Sequence, residues 1–167
     1  MKKFLYSFAF SILLSTSFVV QSKAQDENMY SLHAMFIHNF IKYTEWPSSV
    51  SVVTIGVVDN SEATATLIKK FGSNAKTQVK NFKNVDNIDV CQIIFIPSSS
   101  RAHLNKILEK VKGKPVLIVT EDADMIKKGA SISFKVVSEK LKFQMNADAI
   151  KVSGLKVASS LTALAVN

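Results

Sequence analysis

Thiol chemistry is almost absent from this chain. Cys91 is the only cysteine among 167 residues, so no disulfide can form within the chain. It heads an apolar run, Cys91-Gln92-Ile93-Ile94-Phe95-Ile96, where a small buried hydrophobe is expected rather than a reactive thiol. Histidine is nearly as scarce. His33 and His38 lie five residues apart and share no helix face, so they make no metal pair. His103 stands alone near a helix start, as a solvated or capping side chain. The sequence has no Gly-rich dinucleotide fingerprint, no Walker A loop, no His-Glu-x-x-His and no Gly-x-Ser-x-Gly. No catalytic residue, cofactor or metal is therefore assigned, and the chain reads as a non-enzyme. Repeats, low-complexity tracts and linkers are missing too, which points to one domain. The lysines are scattered, without the aromatic platform that nucleic-acid binding uses, so no nucleic-acid partner is expected.

The first 24 residues have a different character. Lys2 and Lys3 precede an apolar run from Phe4 to Val20, and Ser22-Lys23-Ala24 offers the small residues that a signal peptidase reads. The expectation is export with cleavage after Ala24, leaving residues 25–167 as a single domain. No cysteine near that site would carry a lipid. The formal charge of +8 counts Lys2, Lys3 and Lys23; without them the 21 basic residues fall by three, and against 13 acidic ones the charge is +5.

The residues from Cys91 to Thr120 spell strand, crossover helix, strand. Both apolar runs, Ile93 to Ile96 and Val116 to Val119, are continuous and not alternating, as in strands buried on both faces of a parallel sheet. Between them Leu104, Ile107, Leu108 and Val111 mark one apolar helix face. Serines before that helix are N-cap candidates, and Gly113 and Pro115 stop it. Upstream, Met29, Leu32, His33, Phe36, Ile37, Phe40 and Ile41 mark a helix running to about Thr44, because Pro47 disfavours helical geometry at Trp46.

A strand over 52–58 follows, then the cap cluster Asp59-Asn60-Ser61 and a helix with Ala63, Leu67, Ile68 and Phe71. The polar segment 73–89 offers only a weak strand near Thr77 to Phe82, suited to a sheet edge where lysines discourage pairing with other chains. After a short helical turn closed by Gly129 the period changes to two. Ile132, Phe134 and Val136, then Leu141, Phe143 and Met145, predict an antiparallel hairpin with one buried face. The tail reads as a helix ending near Gly154, then a second helix carrying Leu161, Leu164 and Val166.

Ligands of parallel sheets tend to sit at the carboxyl ends of the strands. Here those ends are Asp59-Asn60-Ser61, Ser98-Ser99-Ser100-Arg101 and Thr120-Glu121-Asp122. The hydroxyls of Ser98, Ser99 and Ser100, with Arg101 and free backbone N–H groups, have the makings of a site for a small anionic ligand. N-capping and solvation are the competing reading.

The chain from about Met29 to Ala165 resembles the YfiR-like (YfiR/HmsC) family of exported regulatory proteins. The resemblance is carried by Tyr43-Thr44-Glu45-Trp46-Pro47, by the Cys91 run, and by Val116-Leu117-Ile118-Val119-Thr120. It continues through Gly129 with Ile132 and Phe134, then Phe143-Gln144-Met145-Asn146, and the close from Leu155 to Ala165. Gln92 and Thr162 depart from the family pattern, which usually has histidine and leucine there. The resemblance implies an α/β fold, a Rossmann-like sandwich with a mostly parallel central sheet plus the C-terminal antiparallel hairpin. It also implies a periplasmic regulator that binds and represses the periplasmic domain of an inner-membrane sensor or diguanylate cyclase. The alternative is a small-ligand-binding protein that uses the strand-end crevice, and a homodimer stays open. The candidate partner or ligand contacts are Tyr43, Trp46, Pro47, Asp59, Ser98, Ser99, Ser100, Arg101, Glu121 and Asn146. For Trp46, core packing is the default role. Intact-mass measurement of the exported protein should show a chain beginning at Gln25; full-length protein held in the inner membrane would refute that processing.

Overall fold

A computed structural model describes residues 29–47 and 49–166. The expected signal segment and its cleavage site lie outside them. Helix α1 occupies residues 29–43 and passes directly into a two-residue strand, β1 (Thr44–Glu45). Trp46 secures this corner. Its indole Nε1 donates to the Ile41 carbonyl at 3.1 Å, satisfying one of the acceptors that a helix leaves open in its last turn.

Strand β2 (Val53–Val58) follows, then helix α2 (Ser61–Phe71) and strand β3 (Thr77–Phe82). Asn60 starts α2 as its cap, its side-chain oxygen accepting from the Ala63 N–H at 2.8 Å. Glu62 in the first turn and Lys69 and Lys70 in the last complement the helix dipole. The chain continues with β4 (Ile93–Ile96), α3 (Leu104–Lys110), β5 (Leu117–Thr120), β6 (Ile132–Val137) and β7 (Lys140–Met145). It closes with α4 (Ala147–Val152), β8 (Lys156–Val157) and α5 (Ser159–Thr162).

Six strands form the main sheet, in the order β3-β2-β4-β5-β6-β7. Every neighbouring pair is parallel except β6 and β7, which pair antiparallel with Phe134 opposite Phe143. The protein is thus an α/β sandwich with a mostly parallel sheet and a C-terminal hairpin. Strands β2, β4 and β5 are buried along their whole length because helices cover both faces. On one face Ile37 and Phe40 of α1, with Leu67 and Phe71 of α2, pack on Ile55, Phe95, Val119 and Phe134. On the other, Leu104 and Ile107 of α3 pack with Ile94, Ile96 and Ile118. Cys91 belongs to this second core, beside Gly56: a Cβ on that glycine would come within 2.8 Å of the Cys91 sulfur. Burial pushes the thiol pKa up to about 12, so the cysteine is inert at neutral pH, as the sequence implies.

Several local expectations change. Ile68, placed on the apolar face of α2, is 49% exposed, and Leu32 of α1 is also at the surface. The serines before α3 do not cap it. Residues Ser98–His103 form a 3-10 turn that leads into the helix, and Val111 lies just beyond its end. The second tail helix stops at Thr162. The residues before it pair as β8 with β1, Leu164 is exposed, and the Val166 N–H extends the β7 edge by donating to the Phe143 carbonyl at 2.8 Å. Sequence offered no sign of that pairing because its partners, Thr44 and Val157, are far apart in the chain.

The hairpin turns on Ser138 and Glu139, both with positive φ (49° and 61°). These match a type I′ turn, which suits the twist of the flanking strands. Val136 shares a face with Phe134 but lies past the core at the hairpin tip and is exposed. The alternation that buries Phe134 and Phe143 turns Lys135 and Lys142 to the other face, where Lys142 is exposed but Lys135 is half-buried. Phe143→Ala should cost about 3–5 kcal/mol in urea unfolding, since the ring is fully buried. Lys142→Ala should cost less than about 0.5 kcal/mol. Equal losses would contradict this register.

Candidate functional site

The strand order reverses between β2 and β4: β3 is added on one side of β2 and all later strands on the other. The carboxyl ends of β2 and β4 therefore bound the crevice where a ligand is expected in such sheets. The chain closes much of this crevice itself. Ser100, buried, donates its hydroxyl to the Val58 carbonyl at 2.8 Å and ties the β4 turn to the end of β2. Asp59 follows Val58 with a left-handed φ of 41° and stays exposed, its N–H donating to the Phe82 carbonyl.

The donors read as an anion cradle are engaged by carboxylates of the loop after β5. The Ser98 N–H donates to Glu121 Oε2 at 2.7 Å, and its hydroxyl to Asp122 Oδ1 at 2.6 Å. Arg101 lies against two carboxylates, with Nε 3.4 Å from Asp122 and a terminal nitrogen 3.1 Å from Asp124. Ser99 is exposed on the same turn. The strand-end surface is a network of positive donors and acidic acceptors, not a cluster of free positive charge.

Sequence reasoning missed His33 as part of this end of the sheet. It sits on the apolar face of α1, fully buried, with its ring stacked on Phe134 at 4.3 Å between centroids and tilted against Phe95 at 5.5 Å. Its Nδ1 is 4.0 Å from Glu121 Oε1, too far for a hydrogen bond, and has no partner among the described residues. Burial lowers the imidazole pKa to about 4 and keeps the ring neutral at physiological pH. The one signal in the sequence was a histidine within an otherwise apolar helix face.

The other candidates lie elsewhere. Tyr43 and Trp46 are half-buried against the first core, Pro47 is exposed, and the Tyr43 carbonyl accepts from the Ala158 N–H, so these three belong to the β1–β8 corner. Lys42 places its ammonium 5.2 Å from the centre of the Tyr43 ring. Asn146 caps α4: its side-chain oxygen accepts from the Ala149 N–H at 2.9 Å and its amide donates to the Ile126 carbonyl at 3.1 Å. It lines a cleft of about 370 Å³ between α4 and the end of α3, bounded by Val111, Gly129 and Val152. The ten candidate residues thus form three groups, not one site. Among the described residues no three His, Cys, Asp or Glu side chains are placed to hold a metal, and no helix is long and apolar enough to cross a membrane.

The fold defines a class, an α/β sandwich whose strand-end surface is dominated by internal polar pairing. The chain belongs to the YfiR/HmsC-like family, whose model matches residues 30–166.

His33 should leave a mark on acid stability. Between pH 6.5 and about 4 the unfolded chain holds a proton on this imidazole that the folded chain does not, so stability falls as pH drops through that window and is level above it. The full loss is about 3 kcal/mol. His33→Phe keeps an aromatic ring on Phe134 and should remove this component, seen as a smaller drop in urea-unfolding free energy between pH 6.5 and 4.5. An identical drop in both proteins would show that His33 is not held neutral.

Proposed function

We propose that this protein is an exported, non-enzymatic regulator that binds and represses the extracytoplasmic domain of a membrane signalling protein, a diguanylate cyclase or a sensor kinase. The observation that carries this reading is membership of the YfiR/HmsC-like family across nearly the whole folded chain. The physical features agree with a protein that acts by presenting a surface. The donors at the strand ends are spent on internal pairing, and the central strands are covered on both faces.

The β1–β8 corner is our candidate contact. Pro47 is exposed and the Tyr43 ring half-exposed, while Trp46 supports them from behind with its indole N–H already satisfied. Aromatic residues at such positions often anchor interfaces. In the periplasm, where we place it, the chain would meet its partner as a separate protein domain.

Co-expression of the exported protein with a candidate membrane sensor from the same cell should allow each to be pulled down with the other, and the sensor's output should rise when this protein is deleted. Tyr43→Ala together with Pro47→Ala should weaken capture by about tenfold, on the scale of a lost interface anchor. Absence of both association and any change in output would refute the regulator reading.

A further inference from the structure

A cleft of about 230 Å³ opens between the start of α1, the loop after β5 and the β6–β7 hairpin. Met29, Phe134 and Leu141 supply apolar wall, and His33, Glu121 and Asp122 supply polar atoms. Among the buried side-chain polar atoms without a hydrogen-bond partner in the described residues, His33 Nδ1 belongs to a residue that lines this cleft, whereas Asp122 Oδ2, which also lines it, is held in an ion pair 3.4 Å from Arg101 Nε. Leaving a buried nitrogen unpaired is costly, so its place beside this concavity marks a position suited to a hydrogen-bonding group.

The chemistry of His33 and Glu121 selects that group. Glu121 spends Oε2 on the Ser98 N–H and leaves Oε1 facing His33 Nδ1 across 4.0 Å. An atom at ordinary hydrogen-bond distance from both would bridge them with an angle of roughly 90° between the two bonds, and because Nδ1 is closed to solvent it reaches that position only when the cleft wall shifts locally. A neutral imidazole in its Nε2–H tautomer offers Nδ1 as an acceptor, and carboxylates only accept. A group with several donors and a positive charge matches this set, and a primary ammonium has three.

We propose that this cleft binds a small organic ammonium ion, a protonated primary amine with a short apolar chain, held by His33 and Glu121 beside the Asp122–Arg101 ion pair. Its chain lies against Phe134 and Leu141. A neutral His33 adds no repulsion to the incoming cation. Lys135 also lines the cleft, and Arg101 already lies beside Asp122, so the net local charge is small. Recognition therefore rests on short-range hydrogen bonds and not on a long-range field. This site is independent of the regulator reading, because it requires no partner protein.

The test uses n-butylammonium chloride as the probe on the exported protein, with n-butanol and sodium n-butyrate as matched controls, read by NMR. Butylammonium should give saturable shifts at the His33 imidazole and at the Glu121 and Asp122 amides, and both controls should bind at least about tenfold more weakly. Glu121→Gln keeps an oxygen for the Ser98 N–H but loses the charge, and should weaken the amine by about tenfold or more. Glu109→Gln, on exposed α3 surface, should change nothing. Equal binding of butanol and butylammonium, or shifts that avoid His33, would overturn the proposal. So would a folded Glu121→Gln protein with unchanged affinity. If that variant does not fold, the wild-type preference for butylammonium over butanol and the location of its shifts decide the question.

Discussion

The packing of α1 onto the β6–β7 end of the sheet is the contact on which the rest depends. His33, Phe36 and Phe40 meet Phe134 and Phe143 as a continuous set of ring contacts, with centroids 4.3 to 6.0 Å apart. Aromatic pairs at such distances contribute beyond the area they bury. This contact joins the first helix to the last two strands of the sheet. It closes one face of the sandwich with elements from opposite ends of the chain, and it carries His33 into the interior.

The same constraint shapes the strand-end surface. A helix that buries a histidine beside the β5 loop places a neutral imidazole next to Glu121, while the β4 turn reaches across to Glu121 and Asp122 from the other side. Donors that resemble an anion site in the linear sequence thus have partners before any ligand arrives. The buried atom left there without a partner among the described residues is His33 Nδ1, which faces a carboxylate and not a positive group. Charge type was readable from residue names; charge balance required knowing which loops meet.

The proposed partner surface and the proposed amine cleft lie on different parts of the molecule. The β1–β8 corner is built from a short antiparallel pairing outside the main sheet, anchored by Trp46 and by the Ala158 N–H on the Tyr43 carbonyl. The amine cleft lies where α1 starts. Helix α1 runs from one to the other and packs its apolar face on the core throughout. A ligand that changes the seating of this helix has a physical route to the corner, and it shifts partner binding only by its difference in affinity for the two seatings.

Much of the architecture was legible in the chain. Continuous apolar runs at Ile93–Ile96 and Leu117–Thr120 announce strands covered on both faces, the change to a period of two announces the hairpin, and lysines with weak patterning place β3 at an edge. These signals are local, because burial on two faces or one is written directly into side-chain spacing. The β1–β8 pairing, the exposure of Ile68 and Val136, the early end of the tail helix and the role of His33 were decided only in three dimensions. Each depends on what a residue meets across a large separation in sequence. A periodic pattern states which side of an element is apolar, but not how far the opposing core extends or which polar atoms end up without a partner.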